Sequence, residues 1–262
     1  MSRTLPAQAR RDTFRESFAQ LRQAQKTRKG VPLYLLYINR PAGRAVAAAL
    51  RHTRFTPNHV TAAGALLTYG ALLWVALAAE PVPVSAAAGL LLAAGYILDS
   101  ADGQLARLQG TSSAFGEWLD HILDNGRIAV MHIAVFCFLA RATSVDHLLL
   151  AICCGLFLLA SSSIFFGGAL VDQLRRNAGV TPRRSTPRAG PAPADAGKRS
   201  DRRLLIRSVA TLPVDYGMTC LIFLLLPWPM AFLAAYLVLA AAHILMCAAF
   251  IPKWRAELLA LV

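Results

Sequence analysis

Acidic side chains are scarce in this sequence: fourteen Asp and Glu stand against twenty-seven Lys and Arg in 262 residues, and only 16% of positions are charged. With 56% hydrophobic residues and a mean hydropathy of +0.48, that shortage excludes an ordinary water-soluble domain. It points to a polytopic membrane protein whose core is lipid-facing helices packed on one another. Cysteine is rarer still. The five present (Cys137, Cys153, Cys154, Cys220, Cys247) fall inside apolar runs without CxxC spacing, which argues against a thiolate metal site and fits small packing residues. The amino terminus lacks an apolar signal-peptide core behind its basic residues, so no cleavage is expected. An inverted repeat of the kind that marks many transporters is also missing. His52, His59, His132, His147 and His243 share no ligand spacing and are assigned no site.

What the chain does have is long apolar stretches, at 58–79, 84–106, 114–141, 146–171, 205–227 and 229–251, each able to span about 30 Å of hydrocarbon. They predict an all-α protein of six transmembrane helices, preceded by amphipathic and juxtamembrane helices. The basic residues divide unevenly around those spans. Twelve precede the first, ten fall between Arg175 and Arg207, Arg107 sits between the second and third, and Lys253 and Arg255 follow the last. Only Arg141 falls on the other side, and Arg127 lies inside the third span. The positive-inside rule therefore places both termini in the cytosol. The excess charge is expected to meet anionic membrane lipid, not nucleic acid.

Residues 1–55 read as a cytosolic unit of basic helices. Within 8–29, Phe14, Phe18 and Leu21 recur at helical spacing among Arg10, Arg11, Arg15, Arg22 and Lys26, which suggests an amphipathic helix on the cytosolic leaflet or a solvated basic helix. A second short helix starts at Pro41 and presents Val46 and Leu50 beside Arg40, Arg44 and Arg51; Thr56 then caps the first span, whose first residue is Pro57. Residues 56–252 are expected to form the six-helix transmembrane domain and 253–262 a cytosolic tail. Inside that domain, 177–203 is rich in Pro, Ala, Gly and Arg without apolar periodicity and reads as a disordered cytosolic loop.

Five of the fourteen acidic residues crowd into residues 99–124, DSADGQLARLQGTSSAFGEWLDHILD. On a helical second span Asp99, Asp102, Gly103, Ala106 and Arg107 share one face, and on a returning third span so do Gly116, Asp120 and Asp124. A turn at Gly110–Thr111 sets Asp102 level with Asp120 and Asp99 level with Asp124. Like charges ~4 Å apart at an effective dielectric of ~20 cost about 4 kcal/mol per pair. An Asp inside the membrane adds about 2.5–3.5 kcal/mol. Two divalent cations would cancel four carboxylates, and all-oxygen ligation favours Mg2+, Mn2+ or Ca2+. A metal pair about 3.5–4 Å apart stabilises both oxygens in displacement at phosphorus, so the stretch reads as a metal-phosphate site at the membrane-cytosol boundary. There Gly103, Ala106 and Gly116 leave room for a nucleotide and Arg107 offers a bidentate phosphate donor. The same glycines and alanine also suit plain helix contacts, and Arg107 a positive-inside anchor.

Taken together, these positions form DxxDGxxAR, eight residues, then GxxxDxxxD, and all eight fixed positions closely resemble the signature of the CDP-alcohol phosphotransferase family (CDP-alcohol phosphatidyltransferases). The resemblance implies an integral membrane enzyme of phospholipid biosynthesis in the cell membrane, with a cytosolic active site. It implies a two-metal site with Mg2+ or Mn2+ on Asp99, Asp102, Asp120 and Asp124, and a CDP-linked donor, such as CDP-diacylglycerol, held by its diphosphate. Asp124 is then the favoured general base for the acceptor hydroxyl, CMP leaves, and related enzymes are commonly homodimers. Two departures bear on the substrate. Members making phosphatidylglycerol phosphate or phosphatidylinositol phosphate usually place Lys or Arg after the last aspartate, where this chain has Asn125. GEWLDHILD is similar to the GELFDHGCD stretch of choline and ethanolamine phosphotransferases, so Glu117 and His121 form an alternative base dyad, and a CDP-amino alcohol with a lipid acceptor is the alternative substrate pair. Arg127 either binds acceptor phosphate or balances the carboxylates. Asp172, Arg175, Arg176 and Asp215 are weaker candidates for an acceptor pocket, and Asn58 with Thr61 for approach to the nucleotide. A cation or proton transporter is the remote alternative, since intramembrane acids also mark ion paths; it calls for acids through the full membrane depth, which the sequence does not have.

Overall fold

The computed structural model describes residues 7–23, 32–78, 85–180, 208–209 and 211–261. Among these residues the regular structure is helical throughout: α1 (Ala7–Gln23), α2 (Arg40–Leu50), α3 (Pro57–Leu77), α4 (Ser85–Gln109), α5 (Ala114–Ala142), α6 (His147–Asn177), α7 (Tyr216–Ile222) and α8 (Pro229–Leu259). A π-helical turn, Leu35–Asn39, runs into α2, and 3-10 turns Leu212–Val214 and Phe223–Leu225 flank α7.

Local chemistry accounts for the helix ends. Thr56 and His59 form a reciprocal capping box with Pro57 at the first helical position of α3, as the Thr-Pro-Asn entry predicts. Ser113 caps α5 through Gly116 N–H at 3.0 Å, and Asp146 caps α6 through Leu149 N–H at 2.9 Å. Between α4 and α5 the chain reverses at Gly110 (φ +67°), with Thr111 N–H returning to the Ala106 carbonyl at 3.0 Å. This left-handed stop favours glycine and makes the hairpin that the acidic stretch requires.

Helices α3, α5, α6 and α8 have the length and apolar composition to cross a membrane. Their 21 to 31 residues reach roughly 31–46 Å at 1.5 Å per residue. The protein is thus a multi-pass membrane protein; among the described residues four helices meet this requirement, and the expected count of six is not confirmed. The second expected crossing, α4, is 25 residues long, but its last third carries Asp99, Asp102 and Arg107 and is less apolar. The fifth, expected at 205–227, is described only in part. Its apolar helical stretch, Tyr216–Leu225, starts at the Asp215 cap and reaches roughly 15 Å, half a bilayer.

Two close approaches place the acidic residues. A Cβ at Gly64 would meet the Gly95 carbonyl at 3.2 Å, and one at Gly95 the Gly64 carbonyl at 3.0 Å, so α3 and α4 touch backbone to backbone one turn before Asp99. A Cβ at Gly43 would meet Ser100 Cβ at 3.0 Å, which lays α2 flush on the same stretch of α4. Further along, Leu72, Val75, Leu92, Val135, Leu139, Phe157, Phe223, Phe232 and Tyr236 form the main apolar core. The core also takes up two of the unassigned histidines: His132 Nδ1 meets the Tyr236 hydroxyl at 2.6 Å, and His243 Nδ1 meets the Leu239 carbonyl at 2.9 Å. The five cysteines are free, two buried and three half-buried.

Of the expected 8–29 amphipathic segment the structure describes α1 as far as Gln23, and the part beyond lies outside the described residues. Its Leu21 enters a small core with Ala47, Val60, Ala101 and Leu105, while Arg51 donates to Ser17 Oγ at 2.9 Å and the Arg44 guanidinium lies 4.9 Å from the Phe18 ring centre. Much of the face expected to meet lipid therefore packs on α2, α3 and α4. Of the expected loop 177–203, the structure describes only the end of α6 and the turn at Gly179 (φ +72°); the rest lies outside the described residues.

Candidate active site

The hairpin brings the aspartates together. Asp99 of α4 and Asp120 and Asp124 of α5 each place a carboxylate oxygen within 4.8 Å of the other two. Asp102 lies beside this group, not in it. Nearly buried, it takes the Thr61 hydroxyl on Oδ2 at 2.5 Å and the Gly103 N–H on Oδ1. An all-carboxylate donor set is what hard divalent cations require, so these residues fit Mg2+ or Mn2+ and would not select a thiophilic metal.

Arg127 stands one turn deeper on α5. It bonds Asp124 Oδ1, lies 3.7 Å from Asp99 Oδ1, and sets its guanidinium 4.2 Å from the Tyr216 ring centre and 5.8 Å from that of Tyr96. Of its two expected roles, this geometry is that of charge balance: one positive charge against two carboxylates, clamped between aromatic faces.

Two cavities adjoin the aspartates. The smaller, about 320 Å³, is lined by Asn58, Thr61, Ala106, Gly116, Glu117 and His121 among others. The larger, about 450 Å³, is lined by Asn39, Arg40, Tyr96, Gln104, Asp124, Asp215 and Tyr216 among others. Asp102, Gly103, Arg107 and Asp120 belong to both, so the predicted nucleotide-side residues form the wall between them. Above Gly103 the space is open: a Cβ there would meet only Arg107 Nη1, at 3.7 Å. Outside the membrane-spanning helices, burial lowers the Arg40 pKa, with Tyr96 opposing that shift and the Arg107 charge adding to it.

Glu117 and His121 share the smaller cavity without forming a dyad. The Glu117 carboxylate pairs with Arg176 at 3.1 Å, and His121 Nδ1 lies 2.7 Å from the Glu117 backbone carbonyl, the i, i+4 position in its own helix. Of the weaker candidates, Asp172 is exposed and Arg175 pairs with Glu257 at 3.1 Å, so the end of α6 stays out of both cavities.

Asp215 is different. Buried, it caps α7 through Gly217 N–H (2.9 Å), accepts the Tyr96 hydroxyl (3.2 Å) and accepts Leu35 N–H (2.9 Å), tying the entry to α2 and the start of α7 to α4. Asp215→Ala leaves three donors without an acceptor. At about 1–3 kcal/mol each, the expected loss is at least about 3 kcal/mol, read as a lower unfolding midpoint of the detergent-solubilised protein, with Asp215→Asn losing less. An unchanged midpoint in Asp215→Ala would remove this residue from the frame.

Tyr96, Tyr216, Asn39, Arg40 and Gln104 were not singled out by sequence reasoning. Gln104 lies inside the signature at a variable position, and Asn39 precedes and Arg40 opens a helix whose apolar pattern says nothing of a cavity.

A multi-pass helical protein with a carboxylate cluster between two polar cavities defines a membrane-embedded class with a candidate cation and phosphate site. Residues 54–186, half of the chain, match the family described as CDP-alcohol phosphatidyltransferase, and the protein belongs to that family. It is also similar, at 36% identity over 91 residues, to a protein of Aquifex aeolicus (strain VF5) named bifunctional IPC transferase and DIPP synthase. That match takes in 34% of this chain and spans a fifth of the relative's length, and neither of the relative's named activities is assigned by it.

Proposed function

We propose that the protein transfers a substituted phosphate group from a CDP-linked donor, with CDP-diacylglycerol the favoured one, to an alcohol, releasing CMP on the cytosolic side of the cell membrane. The observation that carries this is the clustering of Asp99, Asp120 and Asp124 in the larger cavity, with Asp120 also on the wall that this cavity shares with the smaller one. The smaller cavity takes the cytidine side, against Gly103, Ala106 and Gly116. Arg107, on the shared wall, holds diphosphate oxygens, and the larger cavity takes the alcohol.

Asp99, Asp102, Asp120 and Asp124 would hold the metal ions, which when bound supply positive charge for the diphosphate and lower the pKa of the acceptor hydroxyl. Asp124 accepts the hydroxyl proton. The alcohol oxygen bonds to the phosphorus distal to cytidine, and the bond from that phosphorus to the CMP oxygen breaks, its electron pair leaving with CMP. Arg127 fixes the Asp124 carboxylate in place. Thr61 does the same for Asp102.

The test uses purified full-length protein with Mg2+ or Mn2+, CDP-diacylglycerol or CDP-choline, and a panel of acceptors, with CMP release measured. CMP is expected with CDP-diacylglycerol, and its formation is expected to stop on chelation and to return with added metal. CMP only with the water-soluble donor would replace this reading by the CDP-amino alcohol one; turnover indifferent to chelation would refute the metal assignment.

A further inference from the structure

The backbone that carries Asp124 is gripped from α3. Tyr69 donates its hydroxyl to the Leu123 carbonyl at 2.8 Å, and the planar peptide unit of that carbonyl contains the Asp124 nitrogen. A Cβ at Gly126 would run into the same hydroxyl, with the ring Cζ behind it at 3.5 Å, so the phenol fits only because residue 126 has no side chain. Thr61, Thr68, Tyr69, Leu123, Asp124 and Arg127 border a hollow of about 20 Å³, so side-chain packing does not fill this part of the contact between α3 and α5. Asn125, where the sequence departs from a basic residue, is exposed and lines neither of the two larger cavities. The backbone of this turn is held through Leu123 and Gly126 on either side of it.

Helix α3 is placed to set a distance. It packs on both α4 and α5, and at Gly64 it meets α4 backbone to backbone one turn before Asp99. From that base two of its hydroxyls reach both arms of the hairpin: Thr61 bonds Asp102 of α4, and Tyr69 bonds the peptide unit of Asp124 in α5. The spacing between the carboxylates of the two arms therefore depends on a tyrosine that bonds none of them. A proton acceptor works only within hydrogen-bond reach, and a displacement of about 1 Å can cost about 100-fold in rate.

We infer that Tyr69 is a positioning residue for Asp124, acting through the Leu123 carbonyl, with Gly126 as the notch that admits its hydroxyl. The consequence for rate rests on the transferase reading, and equilibrium Mn2+ binding keeps the two apart. In the full-length protein Tyr69→Phe is expected to lower single-turnover CMP release about three- to tenfold, the range for losing one hydrogen bond, with donor affinity little changed. Gly126→Ala is expected to cost more, on the order of 100-fold, because its Cβ drives the phenol or α5 aside by about 1 Å. The double variant is expected to return to the Tyr69→Phe level, since that exchange removes the hydroxyl and leaves only Cζ, at 3.5 Å, before the new Cβ. Mn2+ affinity, read by paramagnetic resonance titration, is expected to follow the same order, weakest in Gly126→Ala and recovered in the double variant. A contact that only braces the fold would show this order in the unfolding midpoint and not in the Mn2+ affinity of the folded proteins. If Gly126→Ala does not fold, the double variant carries the test, expected to fold and to match Tyr69→Phe. Mn2+ affinity unchanged in the single variants, or a double variant no better than Gly126→Ala, would overturn the inference. Absence of CMP release from the unaltered protein would sink the transferase reading instead, while the Mn2+ titrations still decide this one.

Discussion

Asp124→Asn is expected to lower CMP release by about 10²–10⁴-fold, the range for losing a positioned proton acceptor, while the affinity for the CDP-linked donor falls far less. The exchange keeps the size of the side chain and leaves an oxygen for Arg127, so the frame of α5 is preserved. What goes is the ability to take the hydroxyl proton and one negative charge beside Asp99 and Asp120. The comparison that gives this result its meaning is His121→Ala. The Glu117 carboxylate is engaged by Arg176 and His121 leans on a backbone carbonyl, so the two form no dyad, and His121→Ala is expected to stay within about tenfold of the starting rate. Single-turnover CMP release and donor titration check both. An active Asp124→Asn beside a dead His121→Ala would move the proton acceptor to His121.

The second large effect is expected on stability. Arg127 sits between Asp99 and Asp124 and against two tyrosine rings, with a side chain 11% exposed. Arg127→Met keeps much of the side-chain volume but leaves half-buried carboxylates without their counter-charge. Breaking a buried ion pair from one side costs about 3–5 kcal/mol, which is expected as a large fall in the unfolding midpoint in chelator. Because a divalent cation at the same carboxylates replaces the lost charge, added Mn2+ is expected to raise the midpoint more in Arg127→Met than in the unaltered protein. Equal metal responses in the two proteins would mean that Arg127 and the cation do not share those carboxylates.

Much of this site was legible before any coordinates, for reasons that differ by residue. The pairing of Asp99 with Asp124 across the hairpin follows from helical periodicity and from a glycine able to reverse the chain at residue 110, both local properties. The capped start of α3 was equally local. The length of the helix after Asp215 was not. A window of apolar residues around 205–227 looks like a span, but such a window does not register that Asp215 is bound by three donors, which sets the helix start at Tyr216 and leaves a short element. The charge balance at Arg127 needed the position of Tyr216, more than eighty residues away, and the larger cavity needed α2 against α4 at Gly43. The packing of Leu21 was not legible for a related reason: periodicity reveals an apolar stripe on a helix but not that Ala47 and Leu105 will cover part of it.

The bond from Leu35 N–H to Asp215 joins residues 180 positions apart, so its effect falls on the order in which the molecule is made. A nascent chain that has emerged through α5 already owns every aspartate of the cluster, yet it has no wall on the α7 side and no anchor for the strand of chain leading into α2. Enclosure of the larger hollow is thus a late event in biogenesis, contingent on α7 docking. A ribosome-stalled fragment ending before residue 215 would present its carboxylates to water without a compartment beside them.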